Sequence, residues 1–167
     1  MISSGRTIRH CLGVVVLSLG GLFSNAALAT GSVEMQVEHI INQAMDEYNQ
    51  SMETSDASGW LKYFSDNVTR QSPLSSETGK KRFAEYFESE FKNFKAKYVV
   101  KKMIVGGRSA AVIFTWDAIH KATGDNVKID MVGVYEMDTG GRFSSVIYYY
   151  DSAKAGKFVD AMAGKSK

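Results

Sequence analysis

Apolar and polar positions follow a largely two-residue period from residue 97 to residue 151, a pattern that predicts β-strands. Three short clusters that contain glycine interrupt the pattern, at residues 106–107, 123–126 and 139–141. Clusters of this kind are typical of tight turns between neighbouring strands. The segment is therefore predicted to form four consecutive antiparallel strands.

The turns fix the register of these strands, and the register decides which side chains share a face of the sheet. Turns centred on Gly124-Asp125 and on Thr139-Gly140 would pair Trp116 with Gly133 and Met131 with Tyr148. One face then carries a mostly aromatic set: Phe114, Trp116, Ile129, Met131, Tyr135, Tyr148 and Tyr150. The opposite face receives the carboxylates and a second apolar set: Asp117, Asp130, Glu136, Val132, Val134, Ile147 and Tyr149.

Upstream of the strands, apolar residues recur at helical spacing in three places. Ser32 is predicted to cap a first helix that ends near Met52, and Asp56 to cap a second, shorter helix. A third helix is predicted after Gly79, with one stripe of phenylalanines: Phe83, Phe87, Phe91 and Phe94. A final helix is predicted after Ser152.

A short strand is predicted at residues 68–71, where Ser72-Pro73 ends it because proline cannot continue a ladder. Helices that precede strands in one small domain indicate an α+β fold. We expect a single domain over residues 30–167, in which a curved antiparallel sheet is packed by the N-terminal helices into a cone-shaped barrel.

Residues 1–29 have the pattern of a signal peptide. Arg6 and Arg9 give a positive start, residues 12–23 an apolar stretch, and Ala27-Leu28-Ala29 a small-residue cleavage site. Twelve apolar-rich residues are too few for a stable membrane anchor. The sequence therefore predicts a periplasmic or secreted protein without cysteine, since Cys11 would be removed.

Loss of Arg6 and Arg9 would leave 18 Lys and Arg against 18 Asp and Glu, a net charge of zero. A nucleic-acid-binding protein usually keeps a basic excess for contacts with phosphates, so no nucleic-acid partner is expected. The three histidines, His10, His39 and His120, lack the spacing of metal ligands, and no metal site is predicted.

The order of these elements and several local motifs resemble the nuclear transport factor 2-like superfamily, in particular its SnoaL-like and ketosteroid-isomerase-like branches. The resemblance covers most of residues 33–163. The matching motifs are residues 56–64 with Ser65-Asp66-Asn67-Val68, Pro73, Gly79, Gly141-Arg142-Phe143 and Tyr149-Tyr150-Asp151. The resemblance implies the cone-shaped fold, but its members include isomerases, cyclases, hydrolases, dimerisation modules and simple binders.

The resemblance to ketosteroid isomerases implies three catalytic positions. Tyr48 matches the tyrosine that donates to the oxyanion, whereas Ser72 stands where the family has its general base. Gly133 stands where the family has a second, protonated acid. A serine accepts no proton at pH 7 without an adjacent base, so isomerisation by that mechanism is disfavoured.

The aromatic face still has the composition of a pocket for an apolar molecule, with hydroxyl groups for orientation. The predicted ligand-binding residues are Tyr48, Trp116, Tyr135, Tyr148 and Tyr150. His120 shares the phase of Trp116 and is the candidate for a general base, although it can equally be an exposed residue at a strand end.

Three hypotheses for function remain open from the sequence. The leading one is an exported protein that binds a small apolar molecule without strong catalysis. The second is an isomerase, cyclase or hydrolase of SnoaL-like type that works without a cofactor. The third is a dimeric structural or assembly module, and in each case the apolar outer face of the sheet predicts a homodimer.

Overall fold

The computed structural model describes the backbone of residues 22–156 and the side chains of residues 31–156. The elements are α1 (Leu22–Thr54), α2 (Ser58–Leu61), β1 (Phe64–Gln71), β2 (Ser76–Thr78), α3 (Lys80–Asn93), β3 (Phe94–Gly106), β4 (Ser109–His120), β5 (Asn126–Met137) and β6 (Phe143–Tyr150). Residues 152–156 are helical, as predicted after Ser152. No helix in this described part is long and apolar enough to cross a membrane.

The six strands form one curved sheet in the order β2-β1-β6-β5-β4-β3. The four-stranded meander and the α+β class are confirmed, whereas β2 and the parallel pairing of β1 with β6 were not predicted. The sheet does not close into a barrel, because β2 and β3 remain as its edges. Helix α1 packs against β3, and α3 packs against β1.

The predicted strand register is wrong, although the predicted faces are right. Trp116 pairs with Ile129, four residues from the predicted Gly133. Tyr148 pairs with Gly133, two residues from the predicted Met131. Both errors are even numbers of residues, and side chains alternate between faces with a period of two, so every side chain keeps its predicted face.

The register moves because two connections are longer than two-residue turns. The β4–β5 loop closes through hydrogen bonds from His120 N to Asp125 O (2.9 Å) and from Gly124 N to His120 O (2.8 Å). In the β5–β6 loop, the Asp138 carboxylate accepts the backbone N–H groups of Gly140 (2.8 Å) and Arg142 (2.9 Å). A bulge at Ser144 in β6 follows this loop and adds one residue to the count.

Ser32 lies inside helix α1 (Leu22–Thr54), so the predicted cap at Ser32 is wrong. Alanine has the highest helix propensity, and three alanines among residues 26–29 favour a continuous helix there. The predicted signal peptide lies mainly outside the described residues, and its cleavage point after Ala29 falls within α1. The start of α3 is as predicted, with Gly79 at φ 86° immediately before it.

The core between the helices and the inner face of the sheet is mainly aromatic. Tyr48 of α1 stacks on Tyr98 of β3, with ring centroids 3.6 Å apart and planes 3° from parallel. Next to this pair, Asn49 accepts the N–H of Tyr98 (2.8 Å) and donates to its carbonyl (3.2 Å). Helix α1 therefore covers the free edge of β3 at this residue, which protects the edge from other strands.

Candidate functional site

A narrow cavity lies between α3 and the inner face of the sheet. Its free volume is about 20 Å³, which suffices for about one water molecule. The lining residues are Arg70, Tyr86, Phe87, Glu90, Tyr98, Trp116, Ile129, Met131, Tyr148, Tyr150 and Ala155.

Glu90 is the carboxylic acid of this cavity. It lies on the inner stripe of α3 with only 3% of its surface exposed. The Tyr48 hydroxyl donates a hydrogen bond to Glu90 Oε1, and Trp116 Nε1 lies 3.1 Å from the same oxygen and 3.0 Å from the Tyr48 hydroxyl. Two donors from α1 and β4 thus fix one oxygen of the Glu90 carboxyl group.

Burial raises the pKa of Glu90 above its ordinary value, because an apolar environment disfavours the charged form. The hydrogen bond from Tyr48 and the positive charge of Arg70 reduce this rise but do not cancel it. Burial, together with Glu90, raises the pKa of Tyr48 well above its ordinary value. Tyr48 is therefore a hydrogen-bond donor at ordinary pH, and Glu90 is the group that can exchange a proton.

Arg70 also lines the cavity, and like Glu90 it is 3% exposed. Its Nη1 atom lies 2.7 Å from Glu77 Oε2 and 2.8 Å from Ser75 Oγ. Burial opposes the charge of Arg70, but Tyr86 and Glu77 favour it, so the pKa of Arg70 is above its ordinary value. The guanidinium group is therefore positively charged under all usual conditions.

Three of the five predicted ligand-binding residues line the cavity: Trp116, Tyr148 and Tyr150. Tyr48 lies behind the lining, where its hydroxyl contacts Glu90 and Trp116. Tyr135 is fully buried outside the lining, and its hydroxyl lies 3.4 Å from that of Tyr148. The structure thus brings the predicted set into one aromatic cluster, of which one part faces the cavity.

His120, the candidate base, does not line the cavity. It lies at the end of β4, where its Nδ1 is 3.0 Å from Thr123 Oγ1 and its ring packs on Phe94. Ser72 does not line the cavity either, because its hydroxyl accepts the N–H of Ser75 (3.1 Å) within the turn before β2. The carboxyl and guanidinium groups at the cavity, those of Glu90 and Arg70, lie instead on α3 and β1.

Gly133 lies on the inner face of the sheet beneath the ring of Tyr135. A Cβ atom at this position would lie 2.7 Å from Tyr135 Cε2 and 3.1 Å from the Tyr135 hydroxyl oxygen. The tyrosine ring therefore occupies the space that an acidic side chain at position 133 would need. The glycine at position 133, where the related isomerases have their second acid, is what gives the Tyr135 ring its space.

Sequence reasoning missed Glu90 and Arg70, although each leaves a signal in the pattern. Glu90 lies three residues after Phe87 and four before Phe94, within the apolar stripe predicted for α3. Arg70 lies two residues after the buried Val68 on β1, so both side chains share one face. A charged residue at a core position is unusual, and it indicates either a buried partner or a functional site.

A larger groove of about 430 Å³ lies on the surface between the end of α1 and strands β3, β4 and β5. Its charged residues are Glu53, Lys95, Lys97, Asp117 and Lys128, of which Asp117 and Lys128 form an ion pair at 2.9 Å. These side chains are exposed or half-buried. The groove lacks the buried, fixed polar groups that make the inner cavity the better candidate site.

An open cone of helices on a curved sheet, with an inward-facing cavity, is the architecture of nuclear transport factor 2-like proteins. The sequence pattern of the SnoaL-like domain matches residues 45–146, more than half of the chain. The chain therefore belongs to the SnoaL-like domain family. Among curated proteins, none matches this sequence.

Solved structures with this fold include an NTF2-like protein of unknown function from Cytophaga hutchinsonii. It is 25% identical, with a TM-score of 0.51, and the match covers 66% of this chain and 88% of that one. A suggested isomerase from Rhodopseudomonas palustris is 14% identical, with a TM-score of 0.64 and coverage of 75% and 97%. A suggested SnoaL-like polyketide cyclase from Jannaschia sp. is 14% identical, with a TM-score of 0.62 and coverage of 78% and 94%.

Proposed function

We propose that this protein binds a small, largely apolar molecule in the inner cavity. The observation that carries the proposal is an aromatic wall built around two buried polar groups, Glu90 and Arg70. Ligand sites typically combine an apolar lining with a few fixed polar groups that orient the ligand. Trp116, Tyr148 and Tyr150 supply part of that lining, in agreement with the sequence pattern.

A ligand larger than water has to widen the cavity, since its present volume is about 20 Å³. The lining side chains that are half-buried, and therefore lie at its mouth, are Tyr86, Met131 and Tyr150. Methionine adapts its shape easily because its side chain is unbranched and has three rotatable bonds. Met131 is therefore the side chain at the mouth that adapts most easily to a larger ligand.

The test uses an apolar fluorescent dye, 1-anilinonaphthalene-8-sulfonate, with the protein under native conditions. Trp116 lines the cavity, so binding there should quench its fluorescence and raise that of the dye. Ala155→Leu adds bulk to the lining and should weaken dye binding about tenfold or more. Ala153→Leu, the same change at an exposed position two residues earlier, should leave binding unchanged.

Equal dye binding by both variants, with both shown by circular dichroism to be folded, would contradict the proposal. Native mass spectrometry of the purified protein is the complementary measurement. A bound molecule that is present in the parent and absent in Ala155→Leu would both support the proposal and supply the identity of the ligand.

Glu90 favours a second candidate function, an isomerase, cyclase or hydrolase that acts by acid–base chemistry without a cofactor. Its raised pKa and its fixed position beside the cavity are the properties required of a general acid or base. The suggested isomerase and the suggested polyketide cyclase share the fold of this chain. Turnover of a β,γ-unsaturated ketone that disappears in Glu90→Gln would support this function, and equal turnover in both proteins would contradict it.

We further propose that the protein is exported and forms a homodimer through the outer face of the sheet. Export is supported by the signal-peptide pattern of residues 1–29. The dimer is supported by apolar side chains on the outer face, where Tyr149 is 56% exposed and Val132, Val134 and Ile147 are half-buried. Two of the three carboxylates on this face are already paired, Asp130 with Lys101 at 2.6 Å and Asp117 with Lys128, which lowers the cost of covering them.

A further inference from the structure

Among the described residues, only one nitrogen of the Arg70 guanidinium group, Nη1, makes hydrogen bonds to other side chains. Its partners are Glu77 and Ser75. Nε is buried and has no hydrogen-bond partner within the described part of the chain. A buried N–H group without a partner is destabilising, so a hydrogen-bond acceptor at this position would be favourable.

Two aromatic rings hold the guanidinium group in place. Its carbon atom lies 3.8 Å from the centre of the Tyr86 ring and 5.3 Å from the centre of the Tyr148 ring. Both rings also line the cavity, as Arg70 does. Contacts with the faces of these rings favour the cation but use none of its N–H donors, so the edge that contains Nε remains available.

The edge formed by Nε and Nη2 matches the two oxygen atoms of a carboxylate, which arginine commonly binds through two parallel hydrogen bonds. We infer that Arg70 recognises a carboxylate group on the ligand of the inner cavity, so that the ligand class is a small carboxylic acid with an apolar body. This inference rests on the proposed binding function and names the chemistry of its ligand. Trp116, Ile129 and Met131 then contact the apolar body.

The other acid in the cavity, Glu90, is compatible with such a ligand. One of its oxygens is fixed by Tyr48 and Trp116, and burial raises the pKa of this carboxyl group. A second carboxylate nearby raises that pKa further, because two like charges in one site disfavour each other. Glu90 then takes up a proton, and the pair carries one negative charge opposite Arg70.

Benzoate and benzamide are suitable probes, because they have the same shape and differ in charge and in one acceptor. Isothermal titration calorimetry should show that benzoate binds the parent protein about ten- to hundredfold more tightly than benzamide, the range expected for a charged hydrogen-bond pair. Equal affinities would overturn the inference while leaving the proposed function in place. If neither probe binds and the dye does not bind either, both proposals fail.

Two variants connect the preference to Arg70. Arg70→Lys keeps a positive charge that can reach Glu77 but removes the second edge of donors, so the preference for benzoate should be lost. Glu77→Gln leaves the Nε edge intact and should retain the preference. A preference for benzoate that persists in a folded Arg70→Lys protein would overturn the inference, and the comparison in the parent protein decides the question if this variant does not fold.

Discussion

Substitution of Glu90 by glutamine tests the electrostatics of the candidate site most directly. Glutamine keeps a side-chain oxygen for the donors Tyr48 and Trp116, so the packing and both hydrogen bonds can remain. The substitution removes only the ability of the side chain at position 90 to ionise. The difference in stability between the two proteins therefore isolates the cost of a carboxylate at this buried position.

The sign follows from the direction of the pKa shift. Burial raises the pKa of Glu90 in the folded state above that in the unfolded chain, so the folded state holds its proton to higher pH. The stabilisation from this proton is fully present below the unfolded pKa and is lost as the pH rises through the folded pKa. For one proton, the free energy of unfolding falls by at most about 1.4 kcal/mol per pH unit across that window.

We therefore subtract the unfolding free energy of Glu90→Gln from that of the parent protein. This difference should fall as the pH rises from 4.5. Urea unfolding followed by far-ultraviolet circular dichroism, between pH 4.5 and 8.5, measures this difference. Glu88→Gln, the same change at an exposed position on α3, is the matched control. A flat or rising curve for Glu90→Gln would show that Glu90 is not desolvated as described.

Three further predictions concern packing, assembly and processing. Gly133→Ala should destabilise the protein by about 1–3 kcal/mol in urea unfolding, because the new methyl group meets the Tyr135 ring at 2.7 Å; an unchanged midpoint would contradict this packing. Val134→Lys, on the outer face, should convert a dimer into a monomer in light scattering, and a parent protein that is already monomeric at tens of micromolar would refute the proposed interface. Protein recovered from the exported fraction should begin at Thr30 by mass spectrometry, whereas an intact Met1 there would refute the proposed cleavage.

The faces of the sheet could be predicted from the sequence because they depend only on alternation along each strand. Phe114, Trp116 and Tyr148 are all buried on the inner face, as the pattern indicates. The register could not be predicted, because it depends on the number of residues in each loop. That number is set by hydrogen bonds of Asp138 and by a bulge in β6, and neither has a simple signature in the sequence.

The candidate site was predicted in part for a similar reason. Aromatic residues of one face could be assigned to a pocket from their phase alone. The contribution of α3 and β1 depends on how these elements pack over the sheet, and the parallel pairing of β1 with β6 brings Arg70 beside Val146. Residues that are distant in sequence, such as Tyr48 and Glu90, meet only through this packing.

The inner cavity contains two ionisable groups within an otherwise aromatic and apolar lining. Glu90 and Arg70 are each 3% exposed, and burial disfavours the charged form of both. In a fold that needs only a core, well-packed apolar residues are often as stabilising as buried ionisable groups, or more so. Their cost is understandable when both groups contact a ligand, because sites for binding and catalysis commonly lower the stability of the proteins that contain them. We therefore expect apolar replacement of either residue to weaken ligand binding even where the variant is as stable as the parent protein.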